Sequence, residues 1–377
     1  MPRMRNQAVS WLTGGALLAA CLSAQAATYV YVSNADDGVI ASYTLDRDSA
    51  TLTPLTTTKA EDSVMPMALS PDLHHLYAGI GSEPYRVLSY RIDPESGELT
   101  REGSGSLPSP MAYIDTDESG NYLLSASYSD DIASVGPIDA DGVAGDSTQT
   151  VDTGQRAHAI QTTPDNRFAF VSVLGDDQIT QFRFDADSGE LSANEPATVD
   201  TPEGTGPRHF RFAPDSRHLY VLGELTGAVT TYAIDADDGT LTRQGTVEGV
   251  PEALDLAHGI PQEDIPDGDE TLRIWAADIQ VTPDGRYVYI SERTSSLIST
   301  LKADPETGEL SYQRSLPVEL QPRGFRIDDT GRYMVVSGQL DGELGLYRID
   351  PENGGLEKVD SAATGDNANW VEIVSYE

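Results

Sequence analysis

The chain has 377 residues, with 61 acids against 24 bases for a formal net charge of −37, and it carries a single cysteine. A field of that sign repels nucleic acid and anionic membranes, so neither is expected as a partner, and one cysteine cannot close an internal disulfide. Only Lys59, Lys302 and Lys358 among the bases are lysines, and an Asp-rich, Lys-poor chain resembles proteins of salt-loving organisms.

The N-terminus reads as an export signal. Arg3 and Arg5 precede the apolar run Trp11 to Ala20, and Ala24-Gln25-Ala26 supplies an A-x-A cleavage site. Residues 1–26 are therefore expected to be removed, leaving 27–377 as one periplasmic or secreted domain. Leu18-Ala19-Ala20-Cys21 also resembles a lipoprotein signal, which would tether the chain to a membrane through Cys21.

From residue 27 onward the chain repeats itself. A turn of the form D-x-(D/P)-x-(S/T/D/N)-G-x-L begins at Asp46, Asp93, Asp139, Asp185, Asp235, Asp304 and Asp350, which makes seven units. Between these turns falls a second one, near S-P-D-x-R-x-x-Y-V, at Pro71, Glu118, Pro164, Pro214, Pro283 and Asp329. Asp caps its own backbone two residues on, Pro presets φ and Gly accepts positive φ. The runs between turns, such as Tyr287 to Ile290 and Tyr220 to Leu222, have the aromatic and β-branched composition of short strands. Each unit reads as strands a, b, c and d, with a Pro- and acid-rich insertion from Thr246 to Thr271. The first unit lacks a strand a, and the chain ends on an orphan strand, Trp370 to Val374. An all-β, seven-bladed β-propeller closed by that strand follows.

This topology brings the start of strand a and the end of strand b to one mouth. Six positions before the second turn stand Met65, Ala112, His158, Arg208, Ala277 and Arg323; five before stand Pro66, Tyr113, Ala159, His209, Asp278 and Gly324. Glu224 and Arg293 each lie four residues beyond a strand-b aromatic. Cations, imidazoles and acids at one mouth suit the opening of a sugar δ-lactone. A carboxylate or imidazole activates water, and arginines hold the developing oxyanion or a phosphate. A rigid binding platform without catalysis would use the same mouth. The chain has no G-x-S-x-G elbow, P-loop, zinc spacing or calcium loop, so no metal or cofactor is expected.

Val64 to Asp72, Gly206-Pro-Arg-His209, Trp275-Ala-Ala-Asp278, Arg293 to Ile298 and Gln321-Pro-Arg-Gly-Phe325 with Ser337-Gly-Gln339 resemble the seven-bladed β-propeller lactonases. That family includes the propeller-type 6-phosphogluconolactonases of bacteria. The resemblance implies metal-free hydrolysis of a sugar lactone. Through a fungal carboxy-muconate lactonising relative, it also implies a catalytic set resembling His158, Arg208, Glu224 and Arg293. We assign His158 or Glu224 as the base, Arg208 and Arg293 to the carbonyl oxygen, and Arg323, His209, Asp278 and Gln339 to the rest of the substrate. The bacterial type carries a histidine where this chain has Ala112, and it works in the cytoplasm, whereas this chain begins with an export signal. A monomer acting on 6-phosphogluconolactone or unphosphorylated gluconolactone is expected.

Overall fold

The computed structural model describes residues 27–376, so the expected export signal and Cys21 lie outside the described residues. Seven four-stranded antiparallel sheets form seven blades. In chain order, the inner strands of blades 2 to 7 are Val64–Leu69, Tyr113–Thr116, Ala157–Thr162, Pro207–Phe212, Ala276–Val281 and Pro322–Ile327. Blade 1 takes its inner strand, Ala368–Tyr376, from the other end of the chain. It pairs with Ala27–Asn34 in a register that sets Val374 opposite Tyr29 and Trp370 opposite Ser33. The ring thus closes by backbone hydrogen bonds where the orphan strand was expected.

The Asp-to-Gly turns fasten one blade to the next. In five of the seven turns the leading aspartate accepts from backbone N–H groups two and three residues on, as Asp93 Oδ1 does from Glu95 and Ser96 at 2.9 and 3.0 Å. The glycine that ends the turn has positive φ and lies against a ring on the preceding blade. A Cβ at Gly354 would sit 2.5 Å from the Tyr287 ring, and one at Gly97 would sit 2.3 Å from Tyr29. Tyrosines tie the same joints. Tyr31, Tyr77 and Tyr289 donate to the carbonyls of Gly97, Gly142 and Gly354 at 3.0, 3.0 and 2.9 Å. Blade 1 departs from the pattern, with Ala50 at φ 54° in the glycine position. The seam between blades 7 and 1 still closes through Tyr333, whose hydroxyl donates to Arg47 O at 2.7 Å.

The core is a set of apolar clusters between adjacent blades. One of them joins Val30, Tyr43 and Leu52 of blade 1 to Tyr333 and Leu346 of blade 7 across the seam. The insertion is shorter than expected at its start, because Thr246 belongs to the outer strand Leu241–Glu248. The loop proper runs over 249–275, between blades 5 and 6.

Candidate active site

In six of the seven blades the register of the inner strand slips at its first residues. Breaks fall between Val64 and Met67, Ala157 and Ala159, Pro207 and Phe210, Ala276 and Ile279, and Pro322 and Gly324, with another at Asn369. A bulge frees a residue from the ladder and re-aims its side chain. Here it splits neighbouring positions of the repeat between two levels. His158, Arg208 and Arg323 line a cavity of about 270 Å³ at the mouth, together with Met65, Ala112, Glu224 and Arg293. His209 and Asp278 turn instead into a narrow space deeper in the channel, beside Arg211, Arg326 and Trp370. A hollow of about 520 Å³ on the flank of blade 1 is larger, but Asp37 is its only acid and no base lines it.

At the mouth, Glu224 bridges two arginines. Its Oε2 lies 2.8 Å from Arg208 Nε and its Oε1 lies 2.7 Å from Arg293 Nη2. Burial alone would raise the Glu224 carboxyl, but Arg293, Arg208 and Arg323 outweigh it and hold the group below the usual range. Glu224 is therefore a charged clamp. Arg293 is fixed further by Trp275, whose carbonyl accepts from its Nε at 3.1 Å and whose ring lies 5.4 Å beneath the guanidinium.

His158 is 5% exposed, wedged edge-on between Tyr128 and His209 with ring centroids 5.8 and 5.2 Å away. Its Nδ1 is buried without a hydrogen-bond partner. Burial, and then Arg208, His209 and Arg323, push the imidazole well below its ordinary pKa, so it is neutral at pH 7. Of the two candidate bases, Glu224 has both oxygens paired with arginines, whereas His158 Nδ1 is unpaired.

Arg323 differs from the other arginines of the mouth. Among the described residues its guanidinium has no hydrogen-bond or ion-pair partner. Burial and the fields of Arg208 and Arg293 lower it to about 9, which leaves it cationic at neutral pH. A half-buried cation without a partner is costly in any protein, and more conspicuous in a chain with 61 acids.

The lower level positions the upper one. His209 Nδ1 lies 2.9 Å from Asp278 Oδ1, and its Nε2 lies 3.1 Å from Arg208 Nη1, which also donates to the Ala277 carbonyl. Burial and Arg208 push His209 down to about 3, against the pull of Asp278. The neutral ring therefore donates from Nδ1 to Asp278 and accepts from Arg208 at Nε2. The resulting line Asp278–His209–Arg208–Glu224 holds Arg208 in place. His209 and Asp278, expected at the mouth, lie instead in the narrow space beneath it, where the bulge turns them. Gln339 is also drawn away: its amide donates to Asn367 Oδ1 at 2.7 Å on the blade 1 side.

Two contributions were not anticipated. Tyr128 directly follows the second strand of its blade, Tyr122–Ser127, as Glu224 follows His218–Gly223 and Arg293 follows Tyr287–Glu292. Counting from a strand aromatic missed it because Leu124 stands at the landmark position. The other is the insertion, which brings Gln262 and Glu263 to the cavity wall. Gly259 N–H donates to Leu225 O at 2.8 Å, an approach so close that a Cβ there would lie 2.5 Å from Ile274 O.

The model of the family described as "Lactonase, 7-bladed beta-propeller" matches residues 26–373. A 6-phosphogluconolactonase of Pectobacterium carotovorum subsp. carotovorum is 36% identical over 326 residues, which is 86% of this chain and 92% of that protein. One from Klebsiella pneumoniae is 34% identical over 347 residues, or 92% and 99% of the two chains. The crystal structure of a periplasmic gluconolactonase from Pseudomonas aeruginosa superposes with a TM-score of 0.80 at 24% identity, covering 94% of this chain and 100% of that one. A Lactobacillus plantarum protein gives 0.80 at 25%, covering 93% and 100%.

Proposed function

Because the chain belongs to the 7-bladed β-propeller lactonase family, we propose that its mouth hydrolyses a sugar δ-lactone, gluconolactone or its 6-phosphate, to the aldonic acid. The observation that carries this reading is the pairing of a neutral His158 with an unpaired Arg323 in one cavity. A lactone enters uncharged at its carbonyl and gains negative charge there as water adds. A cation with no partner in the free protein meets that charge without first giving up a contact, so its contribution grows toward the transition state.

The steps follow from those two groups. Water attacks the carbonyl carbon while His158 takes its proton, and the oxyanion forms against Arg323 and the spare N–H groups of Arg208. The imidazolium that results is disfavoured by those arginines in the empty site. The oxyanion offsets their field, so proton uptake and attack are coupled. Collapse of the tetrahedral carbon breaks its bond to the ring oxygen, which takes the proton back from His158. The acid released loses a proton to solvent and leaves as the aldonate. Glu224 keeps Arg208 and Arg293 apart and charged, and Tyr128 packs the base in place. No metal or cofactor enters this scheme. The small cavity fits one sugar lactone as substrate, and one chain supplies every residue, so a monomer suffices. The Arg-led N-terminus and its A-x-A site support export of the mature chain to the periplasm.

The test is acid release from both lactones, corrected for spontaneous opening, by the wild type and by Arg323→Ala. Loss of this donor should lower kcat/KM by about 10²–10³-fold. Lack of enzymatic rate with either lactone would leave a binding platform in place of an enzyme.

A further inference from the structure

The insertion reaches over the mouth and is latched to the two preceding blades through Glu263 and Asp264. Both oxygens of Glu263 accept from the Tyr128 hydroxyl, at 3.0 and 3.2 Å, and Oε1 lies 2.8 Å from Arg156 Nε. The neighbouring Asp264 pairs with Arg156 Nη2 at 3.1 Å. Tyr128 belongs to blade 3 and Arg156 to the start of blade 4, whereas the loop leaves blade 5, so the latch joins the loop to the two blades before its own. The side chain of Glu263 remains 46% exposed, on the solvent side of the cavity it lines.

Charge can be counted around that cavity. Arg208, Arg293 and Arg323 stand against Glu224 and Glu263, three guanidiniums against two carboxylates, which leaves one net positive charge. Glu224 already engages Arg208 and Arg293, so Arg323 is the one uncommitted cation of this wall. In the reading above, the reacting carbonyl takes Arg323 and His158. The far end of the sugar then points outward, toward the strap. There it meets Gln262 and a carboxylate, with no free guanidinium beside them.

We propose, resting on the lactonase reading, that Glu263 is a specificity residue that accepts hydrogen bonds from the hydroxyl end of an unphosphorylated aldonolactone and repels a phosphate placed there. A carboxylate accepts well from hydroxyl groups. A phosphate monoester brings a charge of roughly −1.5 to −2 at neutral pH and needs cationic forks in place of an acid. The surrounding strap adds to the repulsion with Glu252, Asp255, Asp267 and Glu270.

The experiment compares kcat/KM for gluconolactone and for 6-phosphogluconolactone at low ionic strength, in the wild type, Glu263→Gln and Arg156→Gln. The wild type should prefer the neutral lactone. Glu263→Gln keeps the shape and an acceptor, and should raise kcat/KM for the phosphorylated lactone by about three- to tenfold, the size of one charge contact in a wet site. Its effect on the neutral lactone should be a small loss. Arg156→Gln loosens the same latch but leaves the charge of Glu263, so it should not improve the phosphorylated substrate. A wild type that prefers the phosphorylated lactone overturns this assignment and leaves the lactonase reading standing. Equal changes for both lactones in the two variants would also overturn it, since loosening of the strap would then account for them. No rate with either lactone would overturn both readings together.

Discussion

The rim of the ring and its mouth are built from the same repeat and use it in opposite ways. At the rim, six of the seven Asp-turns end on a glycine with φ between 67° and 79°, such as Gly97 at 70°, Gly142 at 79° and Gly354 at 67°. At the mouth, the equivalent positions hold Met65, Ala112, His158, Arg208, Ala277 and Arg323, no two neighbouring blades alike. Repetition at the rim serves a joint that must be made identically at each blade. Divergence at the mouth serves one cavity whose wall is apolar on some blades and charged on others. Fold is thus read from what recurs, and chemistry from what does not.

Changes that break the repeat at its joints should cost stability first. Truncation after Asn369 removes the inner strand of blade 1 from Trp370 onward and exposes the edge of Ala27–Asn34. It should abolish soluble, cooperatively unfolding protein, as judged by circular dichroism and size-exclusion chromatography. Gly354→Ala forces a Cβ into the Tyr287 ring at a φ of 67°. It should cost about 2–4 kcal/mol in denaturant unfolding. The whole-chain charge sets a weaker and more diffuse effect. Sixty-one acids repel one another, and salt screens that repulsion, so the thermal midpoint should climb from low to molar NaCl. A flat or falling midpoint would remove the case for a salt-adapted host.

A pH effect comes from the residues beneath the mouth. His209 sits near a pKa of 3 in the fold against about 6.5 in the unfolded chain. As pH falls below about 6.5 the unfolded state takes up a proton that the folded state refuses, so stability drops, and this continues until the folded pKa is reached. Between pH 6.5 and 4 the stability of wild type should fall more steeply than that of His209→Gln, read from urea midpoints. The smallest expected change is Ala50→Gly, at the one rim turn without a glycine. Relief of left-handed strain is worth about 1 kcal/mol, and the lost methyl burial is worth about 0.8 kcal/mol. The two nearly cancel, so a shift above about 1.5 kcal/mol in either direction would show that the seam between blades 7 and 1 differs in kind from the others.

Much of this molecule was legible in its sequence. The seven turns and the orphan strand at Trp370 determine blade number and closure, because turn chemistry and strand pairing are local. The gathering of His158, Arg208, Glu224, Arg293 and Arg323 followed from the same counting. The placement of His209 and Asp278 beneath the mouth did not, since an inner-strand bulge leaves no mark in residue type and yet decides which neighbour faces up. Gln339 occupies the right slot, but Asn367, distant in sequence, captures its amide. Tyr128 and Glu263 are joined by a single hydrogen-bonded pair across 135 residues of chain, and no periodicity reports such a contact.

The account rests on His158 as the base at the mouth, and the pH dependence of kcat/KM on the preferred lactone tests it most directly. Wild type should keep its rate to a pH well under 6.5, because the imidazole stays neutral there, and should lose it in an acid limb below that. His158→Ala should lower the rate by about 10²–10⁴-fold and flatten the limb, with folding unchanged by circular dichroism. Glu224→Gln should lower the rate while leaving the limb in place. A His158→Ala enzyme with near-normal turnover, or an acid limb that disappears with Glu224→Gln instead, would contradict it.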